Sequence, residues 1–297
     1  MTYSIVALDP RTGELGAAVQ SHWFSVGPIV PWARPSVGAV ATQANVDASY
    51  GPRLLDLLAG GLDAPSALER LIAADGGAHS RQVAVVDAAG RVAAFTGPEC
   101  MPFAGDVRGD GVSCQANIMA SATVWGSMLD TFESTQGQRL QDRLLAALDA
   151  AEAAGGDVRG RQSAAILVVP ATGEPWESSV SLRVEDHPEP LAELRRVMVL
   201  HDAYVLAGEG DALVGARRYE EASKLYRDAA ALAPDAVELR FWGGLGAAQL
   251  GDLGAGIAEV RQVIEQSPGW GELIARLSDD VMPSISAVRA GLGINST

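Results

Sequence analysis

The chain has 297 residues, a hydrophobic content of 48% and a formal net charge of −15. That content is ample for a globular core, and the length allows one large or two modest domains. Nucleic acid and anionic membranes repel so acidic a chain, so we expect neither as a partner. The start has no basic region followed by a long apolar run, which predicts a cytoplasmic protein without a signal peptide or membrane span.

The first predicted strand begins directly after Met1. Residues 2–8 are apolar on both faces and rich in β-branched side chains, which predicts an interior strand with Thr2 at its start. If Met1 is removed, the free α-amine, with an ordinary pKa of about 7.7–8.0, can accept the Thr2 hydroxyl proton. Thr2 is therefore a candidate N-terminal nucleophile. The alternative is a small second residue without a catalytic role, and a retained Met1 would acylate the amine and abolish the base.

A second strand over residues 14–20 completes a hairpin with the first. Three adjacent rings follow it, those of His22, Trp23 and Phe24. Because they are too bulky for a tight turn, they either plug the end of the sheet or line a cleft.

Two later strands end in side-chain amides. The first, over residues 37–43, leads to Gln43 and Asn45, and the second ends in Gln115 and Asn117. Amides at strand ends can donate hydrogen bonds to an oxyanion or a substrate, although capping and turn roles fit the first pair equally well.

Helical patterns separate the strand pairs. Leucines between Pro52 and Gly60 lie on one stripe, and a second helix opens at Asp63 or Ser66, either of which is a plausible N-cap. The other predicted elements are a hairpin over 81–87 and 91–96, helices over 122–132 and 140–154, a buried strand before Pro170, and a strand over 178–185.

Arginine is the obvious source of fixed positive charge near a site in this chain, because Lys224 is its one lysine. Arg159 and Arg161 directly precede a buried strand. A guanidinium there could stabilise the nucleophile electrostatically or bind a substrate carboxylate in bidentate geometry. A salt bridge to Asp157 or another neighbouring acid is equally consistent with the sequence.

The elements run hairpin, strand, helix pair, hairpin, strand, helix pair, hairpin. Antiparallel strands that alternate with helix pairs predict an α+β fold, a four-layer αββα sandwich with two sheets face to face and helices outside.

Several segments of this part of the chain resemble an uncharacterised bacterial family, domain-of-unknown-function family 1028. The segments are residues 2–7, 19–24, 38–44, 81–87 and 160–165. That family is grouped with the N-terminal nucleophile hydrolases, relatives of proteasome β-subunits and penicillin acylases. The resemblance implies the sandwich fold and places Thr2 at the nucleophile position. The proteasome-type lysine has no counterpart, which leaves Arg161 or His22 as its substitute.

We expect the sandwich to span residues 1–188 and a helical domain to span residues 189–297, because no strand pattern returns after Pro188. A helix over 191–206 would cap this region. At an offset of 34 residues, small and large positions repeat in the manner of a tetratricopeptide-like repeat. The aligned pairs are Tyr219 with Leu253, Ala222 with Gly256, Tyr226 with Val260, Ala229 with Val263 and Pro234 with Pro268. A plain helical bundle is the alternative.

Together these patterns favour an amidohydrolase that cleaves a small or peptide-like amide through an acyl-Thr2 intermediate. The expected catalytic residues are Thr2, Asn45 and Arg161, and the expected substrate-binding residues are His22, Trp23, Gln43, Gln115 and Asn117. No cofactor or metal is expected, because Cys100, Cys114 and the histidines lack metal-ligand spacing. The alternative is a catalytically silent binding or scaffold protein whose helical repeats bind a protein partner, and either form could be a homo-oligomer.

Overall fold

The computed structural model describes residues 2–296, so Met1, whose removal the nucleophile hypothesis requires, lies outside the described residues. The chain divides into two compact units, the first ending at Arg195 and the second beginning at Arg196. This division falls inside a helix, a few residues after the change of composition at Pro188. None of the described helices combines the length and the apolar character needed to cross a lipid bilayer.

Two antiparallel sheets form the centre of the first unit. In chain order its strands are β1 (Thr2–Leu8), β2 (Leu15–Ser21), β3 (Pro31–Arg34), β4 (Gly38–Ala44), β5 (Arg81–Asp87), β6 (Val92–Thr96), β7 (Gly105–Gly109), β8 (Val112–Asn117), β9 (Ser163–Val169) and β10 (Val180–Val184). The larger sheet has the order β10-β9-β2-β1-β8-β7, and the smaller has the order β3-β4-β5-β6. Sequence patterns missed β3 and β7, which are edge strands of four and five residues.

Helix pairs cover the outer faces of both sheets, so the unit has four layers in the order αββα. Helices α1 (Tyr50–Ala59) and α2 (Ala64–Ala73) pack on the smaller sheet, and α3 (Val124–Ser134) and α4 (Leu140–Ala153) pack on the larger one. The α2 N-cap is Asp63, whose carboxylate accepts a hydrogen bond from Ser66 N at 2.9 Å. Of the two caps that the sequence allowed, Asp63 is therefore the one used.

The interior between the sheets is apolar at one end and polar at the other. Even-numbered β1 residues point inward, because successive side chains of a strand alternate between its faces. The apolar end includes Val6, Val19, Ala41 and Ala84, and the polar end includes Ser4, Gln43, Gln82, Gln115 and Asn117, all of them buried. The polar end lies where β1 begins, so Thr2 lies next to these buried polar side chains.

The second unit is helical. Its helices are the later part of α5 (Pro190–Gly215), then α6 (Tyr219–Leu232), α7 (Val237–Gln249), α8 (Leu253–Gln266), α9 (Gly269–Arg276) and α10 (Ile285–Leu292). α7 packs against both α6 and α8, and α5 continues well past the predicted end at residue 206.

The repeat offset recurs in this unit. α6 and α8 have 14 residues each, and both their starts and their ends are related by the offset of the sequence repeat. The aligned small and large positions are buried: Ala222, Tyr226, Ala229, Gly256, Val260 and Val263. The tetratricopeptide-like interpretation itself stays a prediction.

Candidate active site at the start of the first strand

A cavity of about 380 Å³ opens beside the start of β1. Thr2 forms part of its wall, together with residues from the loops after β2, β4, β6 and β8 and from the segment before β9. The lining residues are Thr2, Trp23, Val26, Ile29, Val30, Gln43, Ala44, Asn45, Val46, Met101, Ile118 and Arg159. Of the site residues predicted from the sequence, the cavity thus brings together Thr2, Trp23, Gln43 and Asn45.

Thr2 is held on both its side chain and its backbone. Its hydroxyl donates a hydrogen bond to Ser21 Oγ at 3.0 Å, and its side chain is buried, with 5% of the residue exposed. Its carbonyl oxygen accepts hydrogen bonds from Gln43 Nε2 at 3.2 Å and Asn117 Nδ2 at 3.5 Å. The hydroxyl therefore has a defined position at the cavity wall, and a second hydroxyl lies within hydrogen-bond distance of it.

Gln43 and Asn117 belong to a buried amide network. Both donate to Gln82 Oε1, at 2.7 Å and 2.9 Å respectively, and Gln43 Oε1 accepts from the Ser4 hydroxyl at 2.7 Å. Because these amides already have partners, they fix the backbone of Thr2. Asn117 does not line the cavity, so it acts on the site through Thr2 and Gln82.

Gln115 lies deeper in the same network and away from the cavity. Its Nε2 donates to Ser4 Oγ at 2.6 Å, and its Oε1 accepts from Ser113 Oγ at 3.0 Å. In the β1–β8 register Gln115 pairs with Ser4, whereas Asn117 pairs with Thr2. Gln115, which the sequence predicts to bind substrate, thus lies two residues further into the sandwich than Asn117 and does not line the cavity.

The arginine at the cavity is Arg159. Its guanidinium binds both carboxylate oxygens of Asp157, from Nε at 3.2 Å and from Nη2 at 3.0 Å. The Asp157 side chain is fully buried, and it also accepts hydrogen bonds from the backbone N–H groups of His22 and Arg159. Asp157 therefore fixes the position of Arg159 and balances its charge.

Arg161, which the sequence favoured, lies on the other side of β1. Its Nε donates to Glu152 Oε1 at 2.5 Å, and its Nη1 pairs with Glu189. Glu152 also accepts a hydrogen bond from the Tyr3 hydroxyl at 2.7 Å. Since Tyr3 and Thr2 point to opposite faces of the strand, Arg161 faces the helix layer and does not line the cavity. Of the two arginines that the sequence offered, the one that lines the cavity is Arg159.

Tyr3, Glu152 and Arg161 form a cluster of charged and hydrogen-bonded side chains on the helix side of β1. Burial and the Glu152 carboxylate raise the pKa of Tyr3 well above its usual value. The hydrogen bond to Glu152 raises the pKa of Arg161. His22 contacts the same region, with its Nδ1 at 3.2 Å from the Arg161 carbonyl oxygen, and it does not line the cavity either. Neither side chain therefore lines the cavity beside Thr2.

Trp23 and Asn45 lie at the cavity mouth and are exposed. Ser163 holds the Trp23 loop, since its hydroxyl donates to Trp23 O at 2.6 Å and accepts from Val26 N at 3.2 Å. Asn45 Nδ2 donates to Ser80 Oγ at 3.1 Å, which orients the amide.

Left-handed backbone conformations are concentrated around this cavity. Ala44 has φ 69° and Ile118 has φ 57°, and both line the cavity. Ser25, two residues after Trp23 in the same loop, has φ 55°. Ile118 is unusual because β-branched residues rarely adopt positive φ. Such strain costs on the order of 1–3 kcal/mol per residue and is found mainly at ligand-binding and catalytic sites.

Residues 2–194 match the model of DUF1028, a family of unknown function. The chain belongs to this family. The matched residues include all the strands, the cavity and both arginines, so the candidate site lies wholly within the family's domain. The family has no stated activity.

The solved structures that are similar to this chain include the following two. Protein SPO2555 from Silicibacter pomeroyi, assigned to the same family, is 34% identical, with 66% of this chain and 84% of that chain covered and a TM-score of 0.61. Anbu (ancestral beta-subunit) from Yersinia bercovieri is 10% identical, with 67% of this chain and 93% of that chain covered and a TM-score of 0.33. The second similarity is too low to establish a shared fold or function. No curated protein matches the chain.

Sequence reasoning missed three residues of the site: Ser21, Ser163 and the Asp157 anchor. Ser21 ends β2 and Ser163 begins β9, on the faces that carry Val19 and Ala165, and these hydroxyls at the ends of apolar faces were the available signal. Asp157 appeared in the sequence only as a salt-bridge partner for a nearby arginine. Among residues 2–296, no three His, Cys, Asp or Glu side chains come together in a way that could hold a metal ion.

Proposed function

We propose that this DUF1028 protein hydrolyses amide bonds, with Thr2 as an N-terminal nucleophile after removal of Met1. The observation that carries the proposal is the position of the Thr2 hydroxyl. It lies at the wall of a ligand-sized cavity, 3.0 Å from Ser21 Oγ and at the start of a strand whose backbone is fixed by buried amides. An ordinary chain terminus frays and has no such support.

The reaction needs a base, which the α-amine of Thr2 supplies once Met1 is removed. The amine accepts the hydroxyl proton as Oγ1 attacks the amide carbonyl carbon, giving a tetrahedral intermediate. Collapse of this intermediate transfers the proton to the leaving amine and leaves an acyl ester on Thr2. Water then attacks the ester with the same amine as base, which releases the acid and restores the hydroxyl. Ser21 Oγ, as the acceptor of the Thr2 hydrogen bond, orients the nucleophile.

Charge on the tetrahedral intermediate is stabilised by groups at the cavity wall. Of the two amides that line the cavity we assign the donor role to Asn45, since Gln43 Nε2 already donates to three acceptors. Arg159 contributes positive charge on a guanidinium that Asp157 holds in place. Removal of one such donor typically lowers turnover by about 10²–10³-fold.

The test combines intact mass with turnover. We expect protein from its native host to have lost Met1 and to release amine from a panel of acyl amides. Thr2→Ala should abolish this turnover, and Thr2→Ser, which keeps a hydroxyl, should retain part of it. Turnover should also fall as the pH drops below about 7.7, because the α-amine is then protonated. Protein that retains Met1 in its native host would overturn the proposal and favour a binding role for the cavity.

A further inference from the structure

The deep wall of the Thr2 cavity is apolar. Val26 and Val30 are 1% and 2% exposed and belong to the apolar core between the two sheets. Ile29 and Ile118 continue this surface around the cavity. The uncharged polar lining residues Thr2, Gln43 and Asn45 lie at or directly beside the ends of β1 and β4, apart from this apolar surface in the chain.

The mouth of the cavity is apolar too. Trp23 and Met101 are 59% and 62% exposed, and Val46 is exposed beside them. Single exposed apolar side chains are ordinary on protein surfaces, but these three come from separate loops and border one opening. Their arrangement extends the apolar wall from the interior to the surface.

The cavity has little net charge. Arg159 is the one charged residue that lines it within the described part of the chain, and its guanidinium is already paired with the fully buried Asp157 carboxylate. An anionic ligand would compete with Asp157 for this arginine, and a cationic ligand would meet no lining carboxylate. The cavity is therefore suited to an uncharged group.

We propose that this cavity is an acyl pocket, and that the substrates are amides whose acyl group is uncharged and apolar. The acyl chain contacts Val26, Val30 and Ile118 while its carbonyl carbon lies beside Thr2. The inference rests on the proposed function, since it assigns the acyl side of the bond that Thr2 attacks. The volume of about 380 Å³ is near the lower end of the roughly 300–1,000 Å³ of ligand pockets, which suits one acyl chain.

Binding of straight-chain primary amides, from acetamide to octanamide, tests the pocket without any need for turnover. Calorimetry on the full-length Thr2→Ala variant, which lacks the nucleophile, should show about fourfold tighter binding for each added methylene until the cavity is full, equivalent to about 0.8 kcal/mol each. Succinamate, which ends in a carboxylate, should bind more weakly than pentanamide. Affinity that does not depend on chain length, or tighter binding of succinamate, would overturn the proposal.

Matched tryptophan variants locate the effect. Trp23→Ala should weaken octanamide binding at least severalfold, because it removes apolar surface at the mouth. Trp176→Ala changes a tryptophan that is 79% exposed and does not line the cavity, and it should leave binding unchanged. Equal losses in both variants, with both proteins folded by circular dichroism, would count against an acyl chain at this mouth.

The two proposals fail separately. Binding that depends on chain length in a protein that hydrolyses none of the corresponding N-alkyl amides would support the pocket and contradict the hydrolase. Hydrolysis at a rate that does not depend on the length of the acyl chain would support the hydrolase and contradict the pocket.

Discussion

At the scale of single residues, Arg159 and Arg161 show how two nearby arginines take different roles. Arg159 lines the cavity and is anchored by a buried carboxylate. Arg161 lies across β1 and pairs with Glu152 and Glu189. Both residues belong to an irregular segment before β9. Without a strand or helix period, the sequence gives no rule for which side chain faces the site.

The contrast predicts different phenotypes for the two alanine variants. Arg159→Ala should lower kcat/KM by about 10²–10³-fold, the usual loss when an electrostatic donor is removed from a reaction site. Arg161→Ala should leave kcat/KM within a few fold and lower the free energy of unfolding by at most about 1 kcal/mol, because its side chain is partly exposed. Steady-state kinetics and urea denaturation of both variants make the comparison. The reverse pattern would return the catalytic role to Arg161.

Ala44 allows a test of backbone strain at the same scale. A left-handed conformation costs an L-residue about 1–2 kcal/mol, and glycine adopts it without this cost. Ala44, with φ 69°, should therefore tolerate glycine, the relief of strain offsetting the roughly 0.5–1 kcal/mol entropic cost of glycine. Ala41, buried in the same strand with ordinary φ, is the control, and Ala41→Gly should destabilise. Urea denaturation should rank Ala44→Gly as the more stable variant, and the opposite order would contradict a strained Ala44.

At the scale of elements, the sequence predicted the strands that alternate apolar and polar residues and the helices that carry an apolar stripe. The β1–β2 and β5–β6 hairpins, β4, β8 and the four outer helices of the sandwich lie where the patterns placed them. The edge strands β3 and β7 were not predicted, because β3 has four residues, three of them apolar in a row, and β7 has a single large apolar side chain, Val107. The polar end of the sandwich was also missed, since its amides on β4, β5 and β8 come together only when the two sheets pack.

Asp75, which follows α2, accepts hydrogen bonds from Tyr50 of α1 and Arg81 of β5, and its ionisation should make the stability of the fold depend on pH. Hydrogen bonds from Gly77 N, Arg81 and Tyr50 lower the pKa of its carboxyl group. A pKa that is lower in the folded state stabilises the fold above the unfolded value of about 3.9, and this stability is lost as the pH falls through the folded value. Asp75→Asn should therefore reduce stability at neutral pH and flatten its loss below about pH 4. Urea midpoints measured from pH 7 to pH 3 should converge for the two proteins; parallel curves would exclude this role.

At the scale of the whole molecule, the division into units predicts where the chain can be cut. The composition changes at Pro188, but the first unit extends to Arg195. Residues 189–195 include Glu189, which pairs with Arg161, and Arg195, which pairs with Asp149 and donates to the Leu145 carbonyl of α4 at 3.5 Å. This first part of α5 therefore belongs to the sandwich, although it carries a helical pattern like that of the second unit.

We expect a chain cut after Arg195 to unfold cooperatively and to keep the Thr2 cavity, because every strand and all lining residues are retained. A chain cut after Pro188 should melt several degrees lower, since it loses the ion pairs and the buried face of Leu191 and Leu194. Melting curves of the two truncated chains and the full chain, with octanamide binding as the readout of the cavity, make the comparison. Equal melting temperatures for the two truncated chains would show that residues 189–195 add nothing to the sandwich. Loss of folding in both would show instead that the helical unit is needed to complete it.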